Sequence, residues 1–394
     1  MSVVFHQSVF KDETKLDINY VPRHLPHREK EYRLLMEFFN FILKFPERMT
    51  QRAIITGEVG TGKTALAQRF GADMTLEANK RGVNFWYVHV NCREYRGKLF
   101  LILQHAVSIF RPNFPKRGYS AEEALETLMQ SLDEEDAYMI LALDEFDTLI
   151  EQEGSEAVYK LTRLQEMSLG KPQRISIVSI LRDLKSTKSL DDSTRSTLQH
   201  NVISLERYPK DQLVDILKDR VAMAFKPSTV SEDIVDLVAE LAVSENGNAR
   251  FAIELLWRAG KYADAEDLDE IEPESVRKAV SNIIPTVRRS ELNSLSFHEK
   301  LFLLGAARIF KESQRTYASL SEIEGGYAVV CEEIGEQPHS HTQLWKYIKL
   351  FSALGILKTE VAAKGARGRS TRISLPSIPA YELEKELKAT LEKR

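Results

Sequence analysis

At 394 residues the chain is longer than one hydrophobic core usually serves, so two or three domains are expected. A net charge of −4 excludes a uniformly basic nucleic-acid binder, although charge is spread unevenly along the chain. Two distant cysteines, Cys92 and Cys331, exclude a disulfide framework or a metal knuckle and read as packing residues. Neither a signal peptide nor a membrane span is recognisable, so a soluble, cytoplasmic protein with no membrane partner is expected.

In chain order, the first clear element is a buried-strand signal, Ala53-Ile-Ile-Thr56. It runs directly into Gly57-Glu58-Val59-Gly60-Thr61-Gly62-Lys63-Thr64, a complete Walker A phosphate loop. The glycines let backbone N–H groups converge on phosphates, Lys63 reaches the β- and γ-phosphates, and the Thr64 hydroxyl serves Mg²⁺. A helix opening at Ala65 presents its positive end to the same anion. ATP or ADP with Mg²⁺ is therefore the expected cofactor. A second strand is predicted over 83–90, then helical spacing across Leu99, Leu103, Val107 and Phe110, and a helix over 121–132.

The apolar run from Tyr138 ends abruptly in Asp144-Glu145-Phe146-Asp147, a Walker B pattern. Ligands of α/β sheets gather at the carboxyl ends of strands, which puts Asp144 near the metal and makes Glu145 the group that polarises the attacking water. Another strand, 174–180, leads into Leu181-Arg182-Asp183. Strands alternating with helices predict an α/β fold with a covered parallel sheet. Residues 208–282 show only helical spacing, through Leu213, Ile216, Leu217, Val221, Ile234, Leu237 and Leu241. The acidic run 264–274 reads as a solvated loop ending in a helix cap, and Pro285 with Arg288-Arg289 as a linker.

The last hundred residues predict helices over 297–311 and 319–333 and a third beginning at Ser340-His341. Two strands, 355–361 and 371–375, follow, joined by a loop rich in glycine and cations: a winged helix. In the third helix Leu344, Ile348, Phe351 and Leu354 share one face, leaving Gln343, Lys346, Tyr347 and Lys349 outward. Between His341 and Leu375 lie Lys346, Lys349, Lys358, Lys364, Arg367, Arg369 and Arg372 against a single acid, Glu360. Such local concentration of positive charge in an acidic protein is a footprint for the DNA backbone. His341, Gln343 and Lys346 are candidates for base contact, and Lys349, Lys364, Arg367, Arg369 and Arg372 for the remaining DNA contact.

With these motifs in place the chain resembles the AAA+ ATPases of the archaeal replication-initiator family, related to the largest subunit of the origin recognition complex and to proteins of the cell-division-cycle-six type. The likeness runs over essentially the full length. The resemblance implies a P-loop AAA+ core (1–206), an all-helical lid (207–285) and a C-terminal winged-helix domain (286–394). Tyr20-Val21-Pro22-Arg23-His24-Leu25-Pro26-His27-Arg28 resembles the segment these proteins fold over the adenine, which implicates Val21, Pro22, His27 and Arg28. Asn246-Gly247-Asn248-Ala249-Arg250 is similar to the family's sensor-two motif, with Asn248 in the acidic place, and implies that Arg250 reaches the γ-phosphate. Arg195 stands where the family carries a basic residue ahead of the last core strand, which makes it a candidate for contact with a neighbouring subunit's nucleotide.

One departure concerns catalysis. The family's sensor-one strand ends with an asparagine where this chain has Arg182. A guanidinium offers donors only and cannot accept a hydrogen bond from the attacking water, so slow turnover is expected. Neutralising γ-phosphate charge, or pairing with Asp144 or Asp183, are the other roles open to Arg182. The resemblance implies an ATP-switched initiator bound to double-stranded DNA at a replication origin, with the replicative helicase and paralogous initiators as partners. A nucleotide-sensing DNA-binding regulator with a vestigial ATPase is the alternative. A AAA+ protein using its winged helix for protein contact is a third.

Overall fold

The computed structural model describes residues 8–46, 48–115, 117–162, 172–199, 201–283, 292, 295–313, 315–361, 371–376 and 378–392. It divides into two compact units, one formed by 21–208 and the other by the first 20 residues together with 209–394.

The first unit is a five-stranded, all-parallel sheet. Its strands are β1 (Arg52–Gly57), β2 (Phe85–Asn91), β3 (Tyr138–Asp144), β4 (Ile175–Leu181) and β5 (Val202–Leu205), in spatial order β2-β3-β4-β1-β5. β3 and β4 are buried at every position, as parallel strands covered on both faces must be. Successive residues feed different cores. Ile55, Ile140 and Val178 pack with α1 (Glu29–Lys44) and α2 (Lys63–Lys80). Ile54, Leu141 and Ile177 pack on the other face with α3 (Leu99–Phe110), α4 (Ala121–Glu134) and α5 (Phe146–Thr162). β1 and β3 lie on either side of β4, so the phosphate loop and the Walker B acids leave the same edge of the sheet. A short helix, α6 (Asp192–Leu198), precedes β5.

In the second unit, the lid comprises α7 (Lys210–Ala224), α8 (Glu232–Ser244), α9 (Ala249–Ala265) and α10 (Pro273–Ile283). The winged helix follows with α11 (Phe297–Ser313), β6 (Tyr317–Ser319), α12 (Leu320–Ile334), α13 (His341–Ala353), β7 (Lys358–Val361), β8 (Thr371–Ser374) and α14 (Ala380–Leu391). Its antiparallel sheet runs β6-β8-β7. Ser319 and Glu322 close a reciprocal capping box at the start of α12, the device that satisfies two otherwise orphaned N–H groups. Both cysteines are buried and unpaired, as expected of packing residues.

The structure departs from the sequence reading at two places here. Residues 8–20, expected in the core domain, pack on the lid. Phe10 packs against Phe225 with tilted rings, centroids 4.8 Å apart, in a space that a Cβ on Gly260 of α9 would enter to within 2.4 Å of the Phe10 ring. Arg220 of α7 donates to the carbonyls of Lys15 and Tyr20. The acidic run is also not wholly solvated. Asp264, in the last turn of α9, accepts from the Ser8 hydroxyl at 2.6 Å and the Val9 N–H at 2.7 Å.

Lid and winged helix are joined by buried charge. Arg277 of α10, 1% exposed, donates to the carbonyls of Leu375 at 2.9 Å and Arg315 at 3.0 Å and to Glu274 at 3.2 Å. Glu240 of α8, also 1% exposed, accepts from the Tyr317 hydroxyl at 2.8 Å and pairs with Lys358 at 2.8 Å.

Candidate nucleotide site and candidate DNA interface

The phosphate loop turns where only glycine fits. A Cβ on Gly57 would lie 2.6 Å from the Leu205 carbonyl oxygen, and Gly62, capping α2, sits at φ 91°. The Thr61 hydroxyl donates to the Glu58 carbonyl at 2.9 Å, holding the loop's curvature. Lys63 Nζ lies inside the loop, donating to the carbonyls of Gly57 at 2.6 Å and Glu58 at 2.9 Å.

Across from it the Asp144 carboxylate, 6% exposed, accepts from the Thr64 hydroxyl at 2.6 Å and from the Glu145 N–H at 2.8 Å, and faces His89 Nε2 at 3.3 Å. Burial alone would raise its pKa, but the bonds from His89 and Thr64 outweigh that and hold it below the usual carboxylate value. Glu145 is exposed, with φ 50°, a left-handed conformation that non-glycine residues adopt mainly at constrained sites. Burial and the neighbouring acids push the Cys92 thiol up to about 12, which removes it from nucleophilic chemistry. A glycine-walled loop with a lysine inside it, beside a hydroxyl and an ionised carboxylate in contact, suits a polyphosphate and a hard cation that takes oxygen ligands. Lys63 and the loop N–H groups would hold the phosphates, and Thr64 and Asp144 the Mg²⁺.

Several sequence expectations are redirected. Arg28, 4% exposed, donates to the carbonyls of Thr61 at 3.1 Å and Glu206 at 2.6 Å and stacks on Tyr208. Its guanidinium thus ties the segment before α1 to the phosphate loop. Val21 and His27 are half-buried and Pro22 buried in the same segment. Arg182 pairs with neither Asp144 nor Asp183. Its side chain lies 3.8 Å from Glu58, whose other oxygen is 3.4 Å from Arg207, and its N–H donates to Asp147 at 2.9 Å. Asp183 instead caps the following turn through the Lys185 N–H. Arg195 pairs with Asp192 of its own helix. Arg250 is exposed in the first turn of α9, which Asn248 caps by accepting from the Phe251 N–H at 3.1 Å. Asparagine caps a helix as well as the acid it replaces.

On the winged helix, Lys346 and Lys349 are exposed on α13, Arg372 is exposed on β8, and Gln343 is half-buried. Tyr347, expected outward, is 4% exposed, its hydroxyl on His339 at 2.6 Å. It packs beside Leu344, Ile348 and Phe351, which widens the apolar face of α13. His341 is occupied on both nitrogens, by Glu324 and by the Trp345 indole N–H at 3.2 Å, so it is less free for bases than its position implied. Lys358 is committed to Glu240. Lys364, Arg367 and Arg369 lie outside the described residues. Sequence reasoning missed His89, Tyr87, Asp147 and Tyr208. A signal existed for the first two, since Tyr87, His89 and Asn91 alternate as a polar face on an otherwise apolar strand.

Taken together, a phosphate loop on a five-stranded parallel sheet, a helical lid and a winged helix define a AAA+ ATPase-type protein with a C-terminal winged-helix domain. Residues 48–183 match the AAA domain, 214–281 the Cdc6 AAA+ ATPase-type lid domain, and 290–384 the CDC6 C-terminal winged helix domain. The chain is 31% identical over 394 residues to the ORC1-type DNA replication protein 2 of Sulfolobus acidocaldarius, covering 98% of this chain and 95% of that protein. It is 28% identical over 386 residues to the ORC1-type DNA replication protein of Pyrococcus furiosus, covering 97% and 90%. The crystal structure of Cdc6p from Pyrobaculum aerophilum superposes with a TM-score of 0.84 at 31% identity, over 98% of this chain and 99% of that one. The Aeropyrum pernix ORC1 protein, solved in complex with DNA, gives 0.64 at 28%, over 97% of each chain. The chain belongs to the archaeal ORC1/Cdc6 family of DNA replication proteins. Among the described residues, no helix is long and apolar enough to cross a membrane.

Proposed function

We propose that this protein is an ATP-regulated replication initiator that binds duplex DNA at an origin through its winged helix. In this reading nucleotide binding and slow hydrolysis act as a switch, in the cytoplasm, with the replicative helicase and paralogous initiators as partners. The observation that carries it is the coexistence in one chain of the Thr64–Asp144 phosphate-loop site and a winged helix presenting Lys346, Lys349 and Arg372 to solvent. A family relative of the same architecture is solved in complex with DNA. Lys63 and the loop amides bind the phosphates, Thr64 and Asp144 hold Mg²⁺, and Glu145 orients water. Arg250 senses the γ-phosphate, and Arg195 faces a neighbouring subunit's nucleotide. On DNA, Lys349, Lys364, Arg367, Arg369 and Arg372 would meet phosphates, while His341, Gln343 and Lys346 would lie at the base edges.

Arg182 supports a second reading, a nucleotide-sensing DNA-binding regulator whose ATPase is vestigial, because at the sensor-one place it offers donors only. Both readings require DNA contact. If roughly five phosphates are neutralised, log affinity falls against log salt with a slope of about −4 to −5 in a duplex titration. A slope near zero removes the DNA-binding role.

A further inference from the structure

Behind the phosphate loop a line of bonds leads from α2 to the Walker B acid and back. The Tyr87 hydroxyl donates to the Ala67 carbonyl of α2 at 2.7 Å and lies 3.2 Å from His89 Nδ1. The other ring nitrogen, Nε2, faces Asp144 Oδ2 at 3.3 Å, and the same oxygen accepts from Thr64, back on α2, at 2.6 Å. An ionised carboxylate only accepts, so the hydrogen between the two sits on Nε2, and Nδ1 shares the one tyrosine hydrogen with the Ala67 carbonyl.

The molecule makes room for this arrangement at a cost. Gly71 stands in the middle of α2, where glycine costs about 1 kcal/mol relative to alanine. A Cβ there would lie 2.2 Å from the Tyr87 ring. Phe70 closes the notch edge-on, its ring centroid 6.3 Å from that of Tyr87. Tyr87 is thereby fixed in place, and burial together with the Asp144 charge pushes its phenol up, keeping the hydroxyl proton. Strand pairing adds a second constraint, since Asn91 lies beside Asp144 and His89 beside Ala142 in the β2–β3 register.

We propose that His89, seated by Tyr87 in the Gly71 notch, is a positioning residue that aims the Asp144 carboxylate at the divalent cation of the bound nucleotide. A carboxylate in a buried site has two oxygens and free rotation about its last bond. One bond, from Glu145 N–H to Oδ1, fixes one oxygen, and His89 with Thr64 fixes the other. Without His89, Oδ2 keeps only Thr64, the hydroxyl that must itself turn to the metal. The inference rests on reading the loop as a nucleotide site.

The test titrates a fluorescent non-hydrolysable ATP analogue into the full chain, once in EDTA and once across a Mg²⁺ series. Binding in EDTA is expected to stay unchanged for His89→Ala, while the Mg²⁺ concentration for half-maximal tightening rises about 10- to 100-fold, the range found when an outer partner of a metal ligand is removed. His89→Gln, whose amide nitrogen reaches the Nε2 position, is expected to recover it to within about threefold, and Tyr87→Phe to show an intermediate loss. Equal weakening in EDTA and Mg²⁺ overturns the proposal by making the effect a general loss of structure, as does an unchanged Mg²⁺ dependence. Failure of the unaltered chain to bind the analogue in either buffer overturns the nucleotide reading itself.

Discussion

Replacing Arg277 by methionine is expected to destabilise the lid and winged-helix unit by about 3–5 kcal/mol, the cost of breaking a buried charge network from one side. The guanidinium is 1% exposed and gathers the carbonyls of Leu375 and Arg315, the Glu274 carboxylate and the face of Phe310. Burial opposes its charge, drawing its pKa down, and Glu274 offsets part of that. Methionine fills a similar volume but leaves two carbonyls without their donor and Glu274 without its cation. Calorimetry is the measurement: the unit's transition moves to lower temperature or splits, the winged helix melting separately from the lid. If the loss comes from the stranded carboxylate, Arg277→Met combined with Glu274→Leu recovers part of it, because matched apolar replacements of buried ion pairs are often tolerated. A variant that melts like the unaltered protein contradicts the role given to this joint.

Lys63→Ala is expected to weaken ATP binding by at least about 100-fold, or ~2.7 kcal/mol. The ammonium is the loop's only lysine and lies against the Gly57 and Glu58 carbonyls, where it is placed to meet phosphate oxygens. Without ligand the variant loses its hydrogen bonds to the loop carbonyls, each worth about 1 kcal/mol, which lowers its own melting temperature by a few degrees. With ATP at about 100 times the unaltered chain's Kd, that chain gains ~2.7 kcal/mol while the variant gains little. Thermal shift with and without ATP reads both. Turnover in the unaltered chain is expected to be slow, since Arg182 cannot accept from the attacking water, and a fast steady-state rate would remove that expectation.

What was legible in the sequence was local. The phosphate loop, the apolar strand ending in Asp144 and the winged-helix periodicities are each written within about fifteen consecutive residues, and period and turn chemistry reveal them. What escaped was made by distant partners. Arg28 donates to Thr61 and Glu206, 33 and 178 positions away. His89 meets Asp144 across 55 positions, and Arg277 meets Leu375 across 98. A polar tip on a helix reads as solvated, whereas the Tyr347 ring belongs to the core and its hydroxyl finds His339. Lys358 belonged to the cationic count of the wing, yet a buried carboxylate on the lid claims it. Charge tallies along a sequence overstate a surface whenever long side chains reach inward.

Coupling of a nucleotide switch to origin DNA in one chain is tested most directly by footprinting the full chain on DNA from its own genome, with ATP, with ADP and without nucleotide. The prediction is discrete protection at a replication origin whose extent changes between ATP and ADP. Protection confined to promoters, or no protection in any nucleotide state, contradicts it.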